Sequence, residues 1–268
     1  MYKSFIIDEN ELSELVDDYS DSPIYSPVVD VGTLKNNLRK LILSSQTGDK
    51  SIKAKNIWDS FFPKVNMPVF LSHSSKDKTF VRKFANWLFT NFGIVSFIDS
   101  DLWGCISELQ KEIDQSYCLQ PGKTSTYDYD ERNYSTAHVH MILSYALTRM
   151  IQNAECFIFI KSNNSISVED SVMGTFSPWI FHELATVDTI QIKRPERMDE
   201  ELRKSIESAY VQFNEEMRSM KIQYPVPCKK LVYLDINDLT KLCKLEYPEE
   251  SIYEDWEFYL NELYKITL

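Results

Sequence analysis

Short apolar runs along the chain alternate with stretches whose apolar residues recur every three or four positions. Four runs read as buried strands: Met67–Ser72, Ile94–Ile98, Cys156–Ile160 and Leu231–Leu234. A strand with one wet face alternates apolar and polar residues, so continuous apolar runs predict burial on both faces. Between the runs, Phe80, Val81, Phe84, Leu88 and Phe92 trace one helix face, and Gly93 supplies the left-handed residue that stops a helix. Met141, Ile142, Tyr145, Leu147 and Ile151 trace a second face. Leu202, Ile206, Phe213, Met217 and Met220 trace a third, and Ile252, Trp256, Leu260 and Leu263 a last one. Strands separated by helices pair in parallel, because a parallel pair needs a long crossover. The predicted class is α/β, a parallel sheet with helices on both faces.

The same pattern divides the chain. Residues 1–66 read as a helical N-terminal extension. In it, Asp8 to Tyr25 is acidic and turn-rich, and Leu34, Leu38, Leu41 and Ile42 mark one amphipathic helix. Ile57, Trp58, Phe61 and Phe62, before Pro63, form an apolar knot that docks on the main domain. That domain spans 67–240, and 241–268 form a C-terminal helix packed on it. Periodicity fails from Cys118 to Thr136, a stretch holding Pro121, Gly122, Tyr127, Tyr129 and Tyr134. It reads as an insertion, either a lid or a surface flap.

Composition narrows the chemistry. The six glycines are too scattered for a glycine-rich phosphate cradle. A net charge of −11 argues against nucleic acid as a partner. The five cysteines are odd in number and lack a C-x-x-C pair, so neither a zinc site nor a disulfide framework is expected. His138, His140 and His182 show no metal-ligand spacing, and no metal is expected. No run approaches the roughly 18 apolar residues of a membrane span. Met1 to Asp18 carries acids where a signal peptide carries bases, so a cytoplasmic protein without membrane contact is expected.

Ligands of open α/β sheets bind beyond the carboxyl ends of the strands. The segments expected there are Ser72 to Asp77, Asp99 to Trp103, and the stretch leading to Phe176-Ser177-Pro178-Trp179. The last opens a helix with Ser177 as N-cap and Pro178 at the first position. Trp179 and Glu183 then stand at i and i+4 on one face.

These segments resemble the Toll/interleukin-1 receptor (TIR) family. Val69 to Asp77 resembles its first box, a strand running into a Ser-His loop with a nearby acid. Phe97-Ile98-Asp99 resembles its second strand, which leads into a mobile loop. Ser177-Pro178-Trp179-Ile180-Phe181-His182-Glu183-Leu184 resembles the S-P-W-x-x-x-E-L helix of NAD-cleaving members. The resemblance spans roughly Met67 to Asp188; it lacks an R-D-x-x-P-G loop and carries the 118–136 insertion. It implies a flavodoxin-like fold and Glu183 as the catalytic carboxylate. It also implies that Ser72, His73, Asp99, Trp103 and Trp179 contact the substrate.

NAD is then substrate and not cofactor. Its nicotinamide is already a cationic leaving group, so one carboxylate that holds ribose hydroxyls and stabilises positive charge at the anomeric carbon suffices. Each contact has a structural alternative: Asp99 as a turn cap, Trp179 as core packing, Ser72 and His73 as loop supports. A stand-alone TIR protein resembles the signal-making members of bacterial antiphage systems such as Thoeris. That implies homo-oligomers through TIR–TIR contacts, with Asp101-Leu102-Trp103 as the exposed contact, and a separate effector that reads the product. The competing readings are a non-catalytic TIR self-association module and a nucleoside-processing enzyme of similar fold.

Overall fold

In the computed structural model of the chain, residues 1–22, 67–169, 172–197, 224–248 and 254–267 are described, with positions 24, 36, 40 and 55 besides. Of the helix expected over 34–42 only positions 36 and 40 are described, and the helix expected over 202–220 and the knot at 57–62 fall outside the described residues. The chain forms two compact units, one of residues 1–25, 66–98 and 151–268, the other of 26–65 and 99–150.

Among the described residues, the first unit holds a parallel sheet of β1 (Lys3–Asp8), β2 (Val69–Ser72), β3 (Ser96–Ile98), β4 (Cys156–Lys161) and β8 (Leu231–Tyr233). The spatial order is β3-β2-β4-β1-β8. Flavodoxin-like sheets run 2-1-3-4-5. Counted from β2, the fourth place is filled here by β1, delivered from the N-terminus. The four expected strands are present, and β1 corrects the expectation that residues 1–66 form a helical extension. Lys3 to Asp8 pairs residue by residue with Cys156 to Lys161, in the middle of the sheet.

One face of this sheet is covered by α1 (Glu9–Val16), α2 (Lys78–Phe92), α6 (Ile236–Cys243) and α7 (Asp255–Ile266). Their apolar stripes meet alternate strand residues: Leu12 and Val16, Val81, Phe84 and Leu88, Leu239 and Leu242, Leu260 and Leu263 pack on Phe5, Ile7, Val69, Leu71, Ile158 and Ile160. Burial of a Leu or Phe side chain stabilises by about 1.5–3 kcal/mol, which makes this layer the main core. Gly93 ends α2 with φ 65°, its N–H returning to Phe89 O, as its place in the sequence predicts. Strand residues one position along face the other way. On that side the Phe70 ring lies 5.2 Å from Phe97 and 5.6 Å from Phe157. An antiparallel sheet of β5 (Ser167–Glu169), β6 (Val172–Thr175) and β7 (Tyr224–Pro225) leads into α5 (Pro178–Thr189).

The second unit contains α3 (Ser100–Tyr117) and most of α4 (Tyr129–Asn153). The structureless insertion expected over 118–136 is corrected to a loop of 118–128, since Tyr129 onward is helical. The loop is closed by a Leu119–Tyr127 bridge and by Asp128 N–H donating to Cys118 O at 2.7 Å. Buried Asp114 braces its two ends, accepting from Arg132 Nε at 2.9 Å, Gln110 Nε2 at 2.7 Å and Ser135 Oγ at 3.1 Å. The Arg132 guanidinium also lies over the Tyr127 ring. The helix face of α4 that is buried is Val139, Leu143, Leu147 and Met150, whereas Met141 and Tyr145, expected inside, are exposed.

Among the described residues no helix is long and apolar enough to cross a membrane.

Candidate functional site

The connections leaving β2 and β4 diverge. From β2, α2 leads outward to β3, while the chain after β4 travels the other way towards β8. That divergence makes the carboxyl ends of β2 and β4 the switch point at which such sheets bind ligands. The residues placed there are Ser72 to Asp77 after β2 and Ser162 to Ser165 after β4.

Ser72 is the last residue of β2, paired with Phe159 of β4 and fully buried. Because Leu71 faces the main core, Ser72 faces the other side, and there it meets α5. The helix is built as its sequence predicts. Ser177 Oγ accepts from Ile180 N–H at 3.3 Å, Pro178 occupies the first turn, and Ile180, Leu184 and Val187 are buried. Phe181 stacks on Tyr224 of β7 at 4.7 Å, which ties α5 to the small sheet. Glu183 is fully buried, and Ser72 Oγ donates to its Oε2 at 2.6 Å, joining residues 111 apart in sequence. This is the geometry of a strong, charge-assisted hydrogen bond. Trp179, one turn earlier on the same face, is half-buried.

The loop after β2 is held from both sides. His73 is buried, and its Nδ1 lies 3.2 Å from Leu71 O, a contact that requires the proton on Nδ1. Ser74 caps a 3₁₀ turn, Ser75–Asp77, by accepting from Lys76 N–H. Buried Asp77 then accepts from Ser162 Oγ and from Asn164 Nδ2, each at 2.5 Å. Ser162 and Ser165 complete the link, Ser162 N–H donating to Ser165 Oγ at 2.8 Å. Glu9, which opens α1 after β1, has its carboxyl pushed up by burial and then by the charges of Asp77 and Asp8. This edge of the sheet is therefore rich in hydroxyl, amide and carboxylate groups.

The structure thus brings Ser72 and Glu183 into direct contact and places His73 in the loop beside Ser72. Asp99 and Trp103 belong to the second unit. Asp99 is buried at the N-cap of α3, and Trp103 lies within that helix, its side chain outside the described residues. The mobile loop expected after Phe97-Ile98-Asp99 is corrected: α3 starts at Ser100, so Asp101-Leu102-Trp103 is helical. Sequence reasoning quoted Asp77 but missed its partners. The run Ser162-Asn163-Asn164-Ser165 directly after a strand was the available signal, since such residues bind loops through side-chain hydrogen bonds. No group of three or more His, Cys, Asp or Glu side chains among the described residues is placed to hold a metal ion. Comparison of the chain with known protein families, curated proteins and solved structures finds no match.

Proposed function

We propose that this chain is an NAD-cleaving enzyme of the TIR type, with Glu183 as its catalytic carboxylate. The observation that carries the reading is the buried Ser72–Glu183 pair at the switch point, formed by the two segments that resemble the family's first box and catalytic helix. A fully buried carboxylate is costly to keep, and such groups concentrate at working sites.

In the proposed reaction the bond between the ribose anomeric carbon and the nicotinamide ring nitrogen breaks. Its electron pair goes to that nitrogen and neutralises the ring. Glu183 accepts hydrogen bonds from ribose hydroxyls and opposes the positive charge growing on the sugar. A nucleophile that gives up a proton (water, or another nucleophile in making a signalling product) then captures the ribosyl cation. With Glu183 fully buried in this state, substrate entry requires surrounding side chains to open, and reclosure keeps bulk water out. Trp179 and His73 are the proposed walls. An ADP-ribose-derived messenger for a separate effector, in antiphage immunity, is the role that fits the resemblance.

The test is nicotinamide release by the wild-type chain and by Glu183→Gln, which keeps the side chain's shape and removes its charge. Loss of activity in a variant that melts normally supports the assignment; near wild-type turnover contradicts it.

A second reading, a non-catalytic self-association module, is favoured by α4. Tyr134, His138, Met141 and Tyr145 line up at spacings of four, three and four along it, all exposed. An apolar stripe of this kind suits helix-to-helix contact. Concentration-dependent assembly without NAD cleavage would select this reading.

A further inference from the structure

We infer that Ser72 is a positioning residue for the chemistry proposed above: it holds one oxygen of Glu183 so that the carboxylate is fixed for a ribose hydroxyl. The inference rests on that reading of Glu183.

The first observation is the residue type at this place in the strand. Ser72 shares its strand face with Phe70, whose ring packs against Phe97 and Phe157. An aliphatic or aromatic side chain would extend that file. A hydroxyl instead loses apolar contact and must find a partner, because burying it unpaired costs about 1–3 kcal/mol. Its partner is the Glu183 carboxylate, at 2.6 Å, with both residues fully buried.

The second observation is rigidity. Ser72 stands on the ladder opposite Phe159, and the turn that follows is tied to the post-β4 loop through Asp77, Ser162 and Asn164. Its hydroxyl therefore keeps a fixed place relative to the sheet. Glu183 rides on the second turn of α5, at the end of a long flexible side chain. A hydrogen bond from a fixed strand residue selects one orientation of that carboxylate. Sites supported by sheet residues hold their geometry better than sites on loops.

The third point is charge. A lysine or arginine in this place would orient Glu183 equally well but would cancel its negative charge. A serine hydroxyl orients it without adding a positive charge. Positioning of this kind acts on the reaction step, since small misplacements of a catalytic group can cost up to about 10²-fold in rate.

The experiment uses the full chain with NAD as probe. Initial rates of nicotinamide release are measured across NAD concentrations for wild type, Ser72→Ala, Ser72→Thr, Ser72→Cys and Glu183→Gln, each checked by thermal melting. For Ser72→Ala the expected result is a fall in kcat of about 10- to 100-fold with KM within about threefold. Ser72→Thr, which keeps the hydroxyl, should recover most of that loss, and Ser72→Cys, a weaker donor of similar size, should fall between. Should Ser72→Ala fail to fold, the order Ser, Thr, Cys decides: kcat that follows donor strength supports the inference, and kcat that follows side-chain volume overturns it. Wild-type kcat in Ser72→Ala, or a change confined to KM, beside an inactive Glu183→Gln, overturns the positioning role and leaves the Glu183 assignment standing. A wild-type chain that releases no nicotinamide overturns both.

Discussion

The two ends of the parallel sheet hold carboxylates in opposite ways. At the amino end, Glu155 precedes β4 and meets a cation: Arg197 donates to it twice, at 2.8 and 2.5 Å, and the Tyr264 hydroxyl donates at 2.9 Å. Arg197 also lies 3.6 Å from Glu257 and over the Trp256 ring, both on α7. Burial works against the guanidinium charge, but Glu155 outweighs it and leaves the Arg197 pKa raised. At the carboxyl end, Glu183 accepts from the neutral Ser72 hydroxyl, and the loops after β2 and β4 are tied together through Asp77, Ser162 and Asn164. The difference is instructive. A carboxylate matched bidentately by arginine is committed to the fold, whereas a serine hydroxyl orients a carboxylate without adding a positive charge beside it.

That contrast is sharpest in the pair of variants with the largest expected effects. Glu183→Gln should lower nicotinamide release by about 10²–10³-fold, the usual cost of losing one transition-state contact, without lowering the melting temperature. Arg197→Met should do the reverse. Leaving the half-buried Glu155 without its bidentate partner costs about 1–3 kcal/mol, a fall in melting temperature on the order of 5 °C, with the rate per folded molecule unchanged. Calorimetry beside the rate assay checks both. A stable but inactive Arg197→Met would break the comparison.

A smaller effect is expected at Lys3, also at the amino end. Its ammonium donates to Tyr264 O, Thr267 O and Thr267 Oγ1, and burial pushes its pKa down to about 8. Below pH 8 the lysine is charged both folded and unfolded. Above it, the folded state loses the proton while the unfolded chain, with the ordinary lysine value of 10.5, retains it. The unfolded state then binds more protons, so Lys3 makes stability rise with pH from about 8 upward. Melting curves between pH 7.5 and about 9.5, below the tyrosine range, should show this rise in the wild type and lose it in Lys3→Met. Parallel curves for the two would remove Lys3 as the cause.

How much of this was legible in the sequence varies by region. The α5 helix was readable in full, because its cap, its proline and its buried stripe are all local signals. So were β2, β4 and the Gly93 stop. The strand β1 was not, although Phe5-Ile6-Ile7 is a short apolar run. Its place depends on pairing with residues about 150 positions away, and nothing local announces that (Lys3 meets Cys156). The start of α3 was missed for a different reason. Asp99-Ser100-Asp101 looks like a turn, yet Leu102, Ile106, Leu109 and Ile113 already carry a 4-3-4 helical spacing. Resemblance to a family with a loop at that point outweighed the periodicity. Within the candidate site, the residues could be named in advance, but the Ser72–Glu183 bond could not. It is a property of how a strand end and a helix are brought together.

The central claim is that the buried carboxylate on α5 serves cleavage of NAD. The most direct measurement is incubation of the purified wild-type chain with NAD, following free nicotinamide and the masses of the products over time. Nicotinamide should appear in step with NAD loss, together with an equal amount of an ADP-ribosyl product, whether hydrolysed, cyclised or conjugated. Intact NAD after prolonged incubation, at protein concentrations spanning the monomer and any assembled form, would contradict it.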